Sequence, residues 1–263
     1  MNFRYALAAA TILALPAVAK AQAVDGPYIG LGAGINFMQN EAFRSTINGV
    51  AAPVASGWLK SQIGPAVVGS IGYGLGNGLR IELEGNYRFN DLNVRGALGG
   101  GGHEQKFGPM VNVLYDFVGM TPYFQPYVGV GAGYEWTKES NLYAAGAGVI
   151  GNVSDETKGS FAYQAIVGAA FPMEAMPGLA LTAEYRFMGL TGDRNLPTTF
   201  TAGAARAAGN TRLNNDFNHS VLVGVRYAFG VAPAAPAAAP APVPVQAQMA
   251  AAAAAAQSCT ASR

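Results

Sequence analysis

The sequence predicts an all-β protein, an eight-stranded antiparallel up-and-down transmembrane β-barrel. Three observations predict it. Apolar residues fall on alternate positions in eight successive segments, the breaks between segments alternate long and short, and the aromatics of the apolar faces collect at two heights. The segment 79–90 carries the pattern in full. Leu79, Ile81, Leu83, Tyr87 and Phe89 share one face of a strand, and Arg80, Glu82, Glu84 and Arg88 share the other. On a helix of period 3.6 the same residues would scatter around the axis, so the segment is a strand.

The segments follow in order. In 27–38, Ile29, Leu31, Ala33, Ile35 and Phe37 oppose Gly30, Gly32, Gly34 and Asn36, and a long stretch, 39–63, follows. Segment 65–75 carries Val67, Ile71, Tyr73 and Leu75 and stops at Gly76-Asn77-Gly78, residues that tolerate the positive φ of a tight hairpin. Segment 79–90 comes next and ends in a loop around Gly99-Gly100-Gly101-Gly102. In 103–117, Val111, Val113, Tyr115 and Phe117 stand against Asn112 and Asp116, closing in the short break 118–122. Segment 123–137 sets Val128, Val130, Ala132, Tyr134 and Trp136 against Gly129, Gly131, Gly133 and Glu135, and a long loop covers 138–158. Segment 161–171 offers Phe161, Tyr163, Val167 and Phe171 and turns at 172–178. In 179–190, Leu181, Ala183, Tyr185 and Phe187 alternate with Thr182, Glu184 and Arg186, before the long loop 191–215. The last segment, 217–229, places Val221, Val223, Val225, Tyr227 and Phe229 against Ser220, Leu222, Gly224 and Arg226.

A soluble sheet would bury the apolar faces, whereas a membrane barrel turns them to lipid. The break pattern and the aromatics decide for the second. Short breaks suit periplasmic turns, long ones suit extracellular loops, and an even strand number leaves both mature termini periplasmic. With odd strands running outward, Phe37, Phe89, Trp136, Phe161 and Phe187 lie near the loop end, and Tyr73, Phe117, Phe171, Tyr227 and Phe229 near the turn end. These are two interfacial girdles. The reverse register would put Arg80 and Arg88 in lipid at roughly 2–4 kcal/mol each near mid-depth.

The address agrees. Arg4, the apolar run 6–19 and Ala21-Gln22-Ala23 read as a signal peptide over 1–23, leaving a barrel over 24–230 and an Ala/Pro-rich periplasmic linker or disordered tail over 231–263. Cys259 is the single cysteine, so no intrachain disulfide is available. After the signal no apolar run reaches the roughly 18 residues of a spanning helix. The 35 glycines follow no collagen period and suit turns and closely packed strands. Of all residues 51% are hydrophobic and 12% charged, with a net charge of +1, so no basic face points to nucleic acid.

An eight-stranded barrel is just filled by side chains, so a wide aqueous channel is not expected. Arg80, Arg88, Arg186 and Arg226 are expected to meet Glu82, Glu84, Glu135 and Glu184 in a buried network, since unpaired charges there cost several kcal/mol. The inner-face glycines, Gly30, Gly32, Gly34, Gly129, Gly131 and Gly133, are expected to leave room for those arginines. The network fills the lumen structurally or forms a gate whose salt bridges exchange partners.

Catalytic, metal and cofactor sites are not expected. His103 and His219 are remote from each other and lie near loop ends. The two Gly-x-Gly-x-Gly runs lack the third glycine spacing and the helix of a dinucleotide loop, and no Walker lysine or His-Glu-x-x-His occurs.

Ala183-Glu184-Tyr185-Arg186-Phe187 and the closing run His219-Ser220-Val221-Leu222-Val223-Gly224-Val225-Arg226-Tyr227-Ala228-Phe229 resemble the eight-stranded outer-membrane barrel superfamily, which comprises the membrane domain of outer membrane protein A and the opacity-type surface proteins. The resemblance covers about 26–229. It implies a Gram-negative outer-membrane location, contact with outer-membrane lipid, and delivery to the barrel-assembly machinery through Tyr227 and Phe229. In proteins similar to outer membrane protein A such a spacer leads to a peptidoglycan-binding domain; here it leads to Ser258-Cys259-Thr260-Ala261-Ser262-Arg263.

Two functions are expected. The first is a structural envelope barrel admitting small solutes slowly. The second is a surface adhesin or recognition protein whose long loops, with Trp58, Lys60, Lys138, Lys158, Arg194 and Arg206, bind a cell-wall or host-surface ligand.

Overall fold

The structure is a computed structural model and describes residues 23–230 apart from 96–98, 122, 174 and 215. The expected tail over 231–263 and all but the last residue of the expected signal peptide over 1–23 lie outside the described residues.

The described residues hold thirteen strands in one antiparallel sheet, where eight are expected. They are β1 (Asp25–Met38), β2 (Glu41–Ile47), β3 (Val50–Ser61), β4 (Gly64–Leu75), β5 (Leu79–Arg95), β6 (Gly99–Asp116), β7 (Gln125–Gly146), β8 (Val149–Val153), β9 (Glu156–Pro172), β10 (Leu179–Leu190), β11 (Arg194–Ala202), β12 (Ala205–Asn214) and β13 (Asp216–Ala228). Each expected segment overlies one of β1, β4, β5, β6, β7, β9, β10 and β13. The other five strands occupy the stretches 39–63, 138–158 and 191–215, which are therefore not loops but paired wall.

The pairings close two rings. One runs from β7 through β6, β5, β4, β1, β13, β10 and β9 back to β7. The other runs from β5 through β3, β2, β12, β11, β8, β7 and β6 back to β5. The strands β5, β6 and β7 belong to both, so the second ring stands on the first as an upper storey. Closure removes the exposed edges that an open sheet would present.

Tight turns cap the upper storey. Asn48 and Gly49 take φ of 49° and 78° between β2 and β3, and Ala147 and Gly148 take 51° and 76° between β7 and β8. Two positive φ values in succession match the right-handed twist of the flanking strands. At the other end Gly76 and Gly78 have positive φ, and the Asn77 carboxamide oxygen accepts from the Leu79 N–H at 3.0 Å.

Along β5 the two faces exchange character. In its lower part Ile81 and Leu83 are 49% and 50% exposed on the outside, while Glu82 and Glu84 are 6% and 1% exposed inside. Beyond Asn90 the same outer face carries Asp91, Asn93 and Arg95, and the inner face carries buried Leu92 and Val94. The upper storey thus has an apolar interior, with Met38, Phe43, Leu59, Leu92, Val94, Leu142, Leu196 and Leu213 packed together. A barrel wall in lipid faces apolar outward, and a wall in water faces apolar inward, so the exchange marks the level where the solvent changes.

Candidate functional site: the polar lumen

The lower lumen is built by the alternate positions that the sequence assigns to the interior. Arg80 on β5 donates through Nε and Nη2 to Asp116 Oδ1 at 3.0 and 2.9 Å, and lies 3.8 Å from Glu82. Its guanidinium also stands over the rings of Tyr127 and Tyr28, at 5.0 and 5.3 Å. Tyr28 donates to Glu82 at 2.9 Å and Tyr127 to Glu184 at 2.6 Å. A polar cavity of about 30 Å³ lies among Tyr28, Ser70, Arg80, Glu82, Glu184 and Arg226. That is room for a water or two, far from a channel.

One level higher, Arg186 bridges Glu84 and Glu184, the latter at 2.7 Å. Asn112 Nδ2 donates to Glu84 at 2.8 Å and Gln164 donates to Asn112 Oδ1 at 2.7 Å. Arg88 and Glu135, expected to pair with charged partners, have no salt bridge within 4.0 Å among the described residues; Asn86 joins them, accepting from Arg88 and donating to Glu135 at 2.5 Å. Arg88 Nε also donates to Ser220 at 3.3 Å. Arg226 lies 3.9 Å from Asp116 and, among the described residues, makes no salt bridge within 4.0 Å to any of the expected glutamates.

The glycine expectation is corrected. A Cβ on Gly30 would meet Ser70 Oγ, on Gly32 Val68, and on Gly34 the Val221 carbonyl oxygen. Over Gly129, Gly131 and Gly133 the nearest side chains are Leu114, Asn112 and Met110. These glycines admit the backbones and side chains of neighbouring strands, not the arginines.

The third level is the one that sequence reasoning missed. Arg194, expected in an extracellular loop, is buried at the base of the upper storey. Its Nη2 reaches Glu41 at 3.0 Å, and its Nη1 stands 3.2 Å from Glu104, 3.0 Å from Glu139 and 3.1 Å from Asp216. Lys106 joins Asp216 at 3.1 Å and Glu104. Four carboxylates from β2, β6, β7 and β13 therefore converge on two cations. Burial pushes the Glu41 carboxyl up to about 7, with Arg194 pulling the other way. The even spacing of Glu104 and Lys106 on β6 is the available signal; Glu41 follows a shift of phase, while Arg194 and Glu139 keep the phase of the preceding strand but stand in stretches expected to be loops.

Both histidines face outward at the upper rim of the belt. His103 contacts Asp91 at 2.6 Å and stacks on Phe89; His219 contacts Tyr185 at 2.6 Å and stacks on Phe37. At the opposite end Tyr227 and Phe229 face outward, edge to face at 5.1 Å.

Comparison with known proteins places this architecture. The family described as outer membrane protein beta-barrel domain matches residues 5–229. A protein of Gluconacetobacter diazotrophicus described as an outer membrane protein is 39% identical over 249 residues, covering 89% of this chain; the chain spans 65% of that relative's length. Among solved structures, the outer membrane protein OprG of Pseudomonas aeruginosa superposes with a TM-score of 0.55 at 14% identity, over 78% of this chain and 98% of that one. With a wall apolar outside and ionic inside, and matched over most of its length, the chain belongs to the outer membrane protein β-barrel domain family and is a bacterial outer-membrane protein.

Proposed function

We propose that this protein is a structural barrel of the outer membrane, whose lower ring of eight strands spans the bilayer and whose lumen is closed to all but slow passage of small solutes. The observation that carries the reading is the tie of Arg186 to Glu84 and Glu184, with the Asn112 and Gln164 amides beside it, across the middle of the lumen. Ion pairs buried in this way plug a narrow barrel and open only if their partners separate. In this reading Arg80, Glu82, Glu84, Arg88, Glu135, Glu184, Arg186 and Arg226 act as a lumen charge network, and Tyr227 and Phe229 serve as the assembly signal.

Planar-bilayer recording tests the reading. The wild-type chain is expected to give rare, small openings, and Arg186→Ala to make them larger or more frequent. A steady wide conductance from the wild-type chain would overturn it.

A second reading, recognition at the cell surface, is supported by the paired hairpins that stand above the belt and expose Trp58, Lys60, Lys138 and Arg206. Trimming the β2–β3 and β11–β12 hairpins is expected to abolish adhesion and leave insertion intact if it holds.

A further inference from the structure

The outer wall of the upper storey carries a charge arrangement that the lumen does not explain. Arg44 on β2 and Arg212 on β12 are direct cross-strand partners, both on the exposed face. Like charges placed opposite each other destabilise a sheet. Arg212 has a counter-charge in Asp193, whereas Arg44 has no ion-pair partner within 4.0 Å among the described residues. On the next strands Trp58, 55% exposed, is the direct partner of exposed Arg95, and exposed Lys60 lies two positions from Trp58 on the same face. From 39 to 61 the only acid is Glu41, and it is buried. Arg44, Lys60 and Arg95 thus lie on the strands around one exposed indole, with Arg212 one strand further out, on a contiguous wall formed by β12, β2, β3 and the end of β5; the exposed acids Asp193 and Asp91 lie at its margins, the first paired with Arg212 and the second with His103.

The patch lies on the flank of the barrel, in line with the lipid-facing belt. Arg95 is six residues beyond outward-facing Phe89 on the same strand, roughly 20 Å along it and less in height because barrel strands tilt. Lys60 is three residues from exposed Ile63. A lipid packed on this side of the belt would lift its head group along this wall, not towards the hairpin tips. Guanidinium groups suit phosphate oxygens in paired hydrogen bonds, and an exposed indole offers a flat apolar face and an N–H to a sugar ring.

We infer that this wall binds the phosphorylated sugar head of an outer-leaflet glycolipid, which neutralises the Arg44 and Arg212 repulsion and holds the lipid beside the barrel. The inference rests on the outer-membrane location and is independent of whether the lumen conducts.

The test uses the full chain carrying Trp136→Phe, so that Trp58 reports alone, in nanodiscs of zwitterionic phospholipid titrated with purified lipopolysaccharide. Saturable change in Trp58 emission is expected. The Arg44→Gln, Arg95→Gln pair should bind roughly tenfold more weakly, as should dephosphorylated lipopolysaccharide with the unsubstituted wall. Arg44→Gln alone should raise the unfolding temperature of the ligand-free barrel, because it removes the repulsion, and heat-modifiable gel mobility verifies that each variant is folded. Equal binding by the folded double variant would overturn the inference. So would displacement of lipopolysaccharide by equimolar heparin, which would assign the wall to a soluble polyanion instead. A failed conductance test with intact lipopolysaccharide binding would leave this inference standing while removing the closed-lumen reading.

Discussion

At the scale of single residues, burial makes each lumen ion a liability unless its partner stays. Arg186 is the clearest case, since Glu84 and Glu184 both depend on it. Arg186→Ala leaves buried Glu84 and half-buried Glu184 without their cation and is expected to lower stability by about 3–5 kcal/mol, measured by urea unfolding from lipid vesicles. Glu41 gives the pH counterpart. Its folded value is raised from 4.5 to about 7, so between those values the folded state holds more protons than the unfolded one. Its contribution to stability is therefore fully present below 4.5 and is lost as the pH rises through about 7. The groups facing it are Arg194, Lys106, Asp216, Glu104 and Glu139. The protection of β2 amides, taken relative to the intrinsic exchange rate at each pH, is expected to fall from pH 5 to pH 8, and Glu41→Gln to flatten that fall. An unchanged slope in the variant would assign the titration to another member of the cluster.

At the scale of elements, strand pairing depends on where a backbone must come close. Gly34 on β1 faces the Val221 carbonyl oxygen of β13 across a gap that a Cβ would fill, whereas a Cβ on Gly85 of β5 would meet nothing within 4 Å. Gly34→Ala is expected to destabilise the β1–β13 pairing by about 1–3 kcal/mol. Gly85→Ala is expected to be neutral or slightly stabilising, because a glycine inside a strand loses entropy without packing. Paired unfolding curves check both. The elements also show why five strands were not legible. Between β1 and β2 the buried parity moves from even (Asn36, Met38) to odd (Glu41, Phe43, Ser45), and it moves likewise between β3 and β4, β8 and β9, and β12 and β13. One shifted residue puts every later side chain on the other face, so alternation read as a single phase stops at each break. Across 191–193 the parity is kept, and there the character of the faces changes instead: Met188 and Leu190 lie inside below, with Arg194, Leu196 and Thr198 above.

For the whole molecule, two stacked rings with opposite interiors fit a barrel that leaves the bilayer and continues into water. The orientation drawn from loop lengths follows as an expected outcome. Cysteines placed at Asn48 and at Asn77, in a Cys259→Ser background, are expected to differ in intact cells: the first should react with an impermeant maleimide and the second only after the membrane is permeabilised. The opposite labelling would invert the barrel.

The amino-acid order alone determined that eight segments alternate as strands and that Arg80, Glu82, Glu84, Arg88, Glu135, Glu184, Arg186 and Arg226 face inward, because period-two alternation is local and each strand carries it independently. Only the tertiary structure decided which ions meet, that Asn86 stands between Arg88 and Glu135, that Arg194 anchors an interior cluster, and that the long breaks are wall. Those features depend on register between strands far apart in the chain, and register is a property of pairs that no single segment contains.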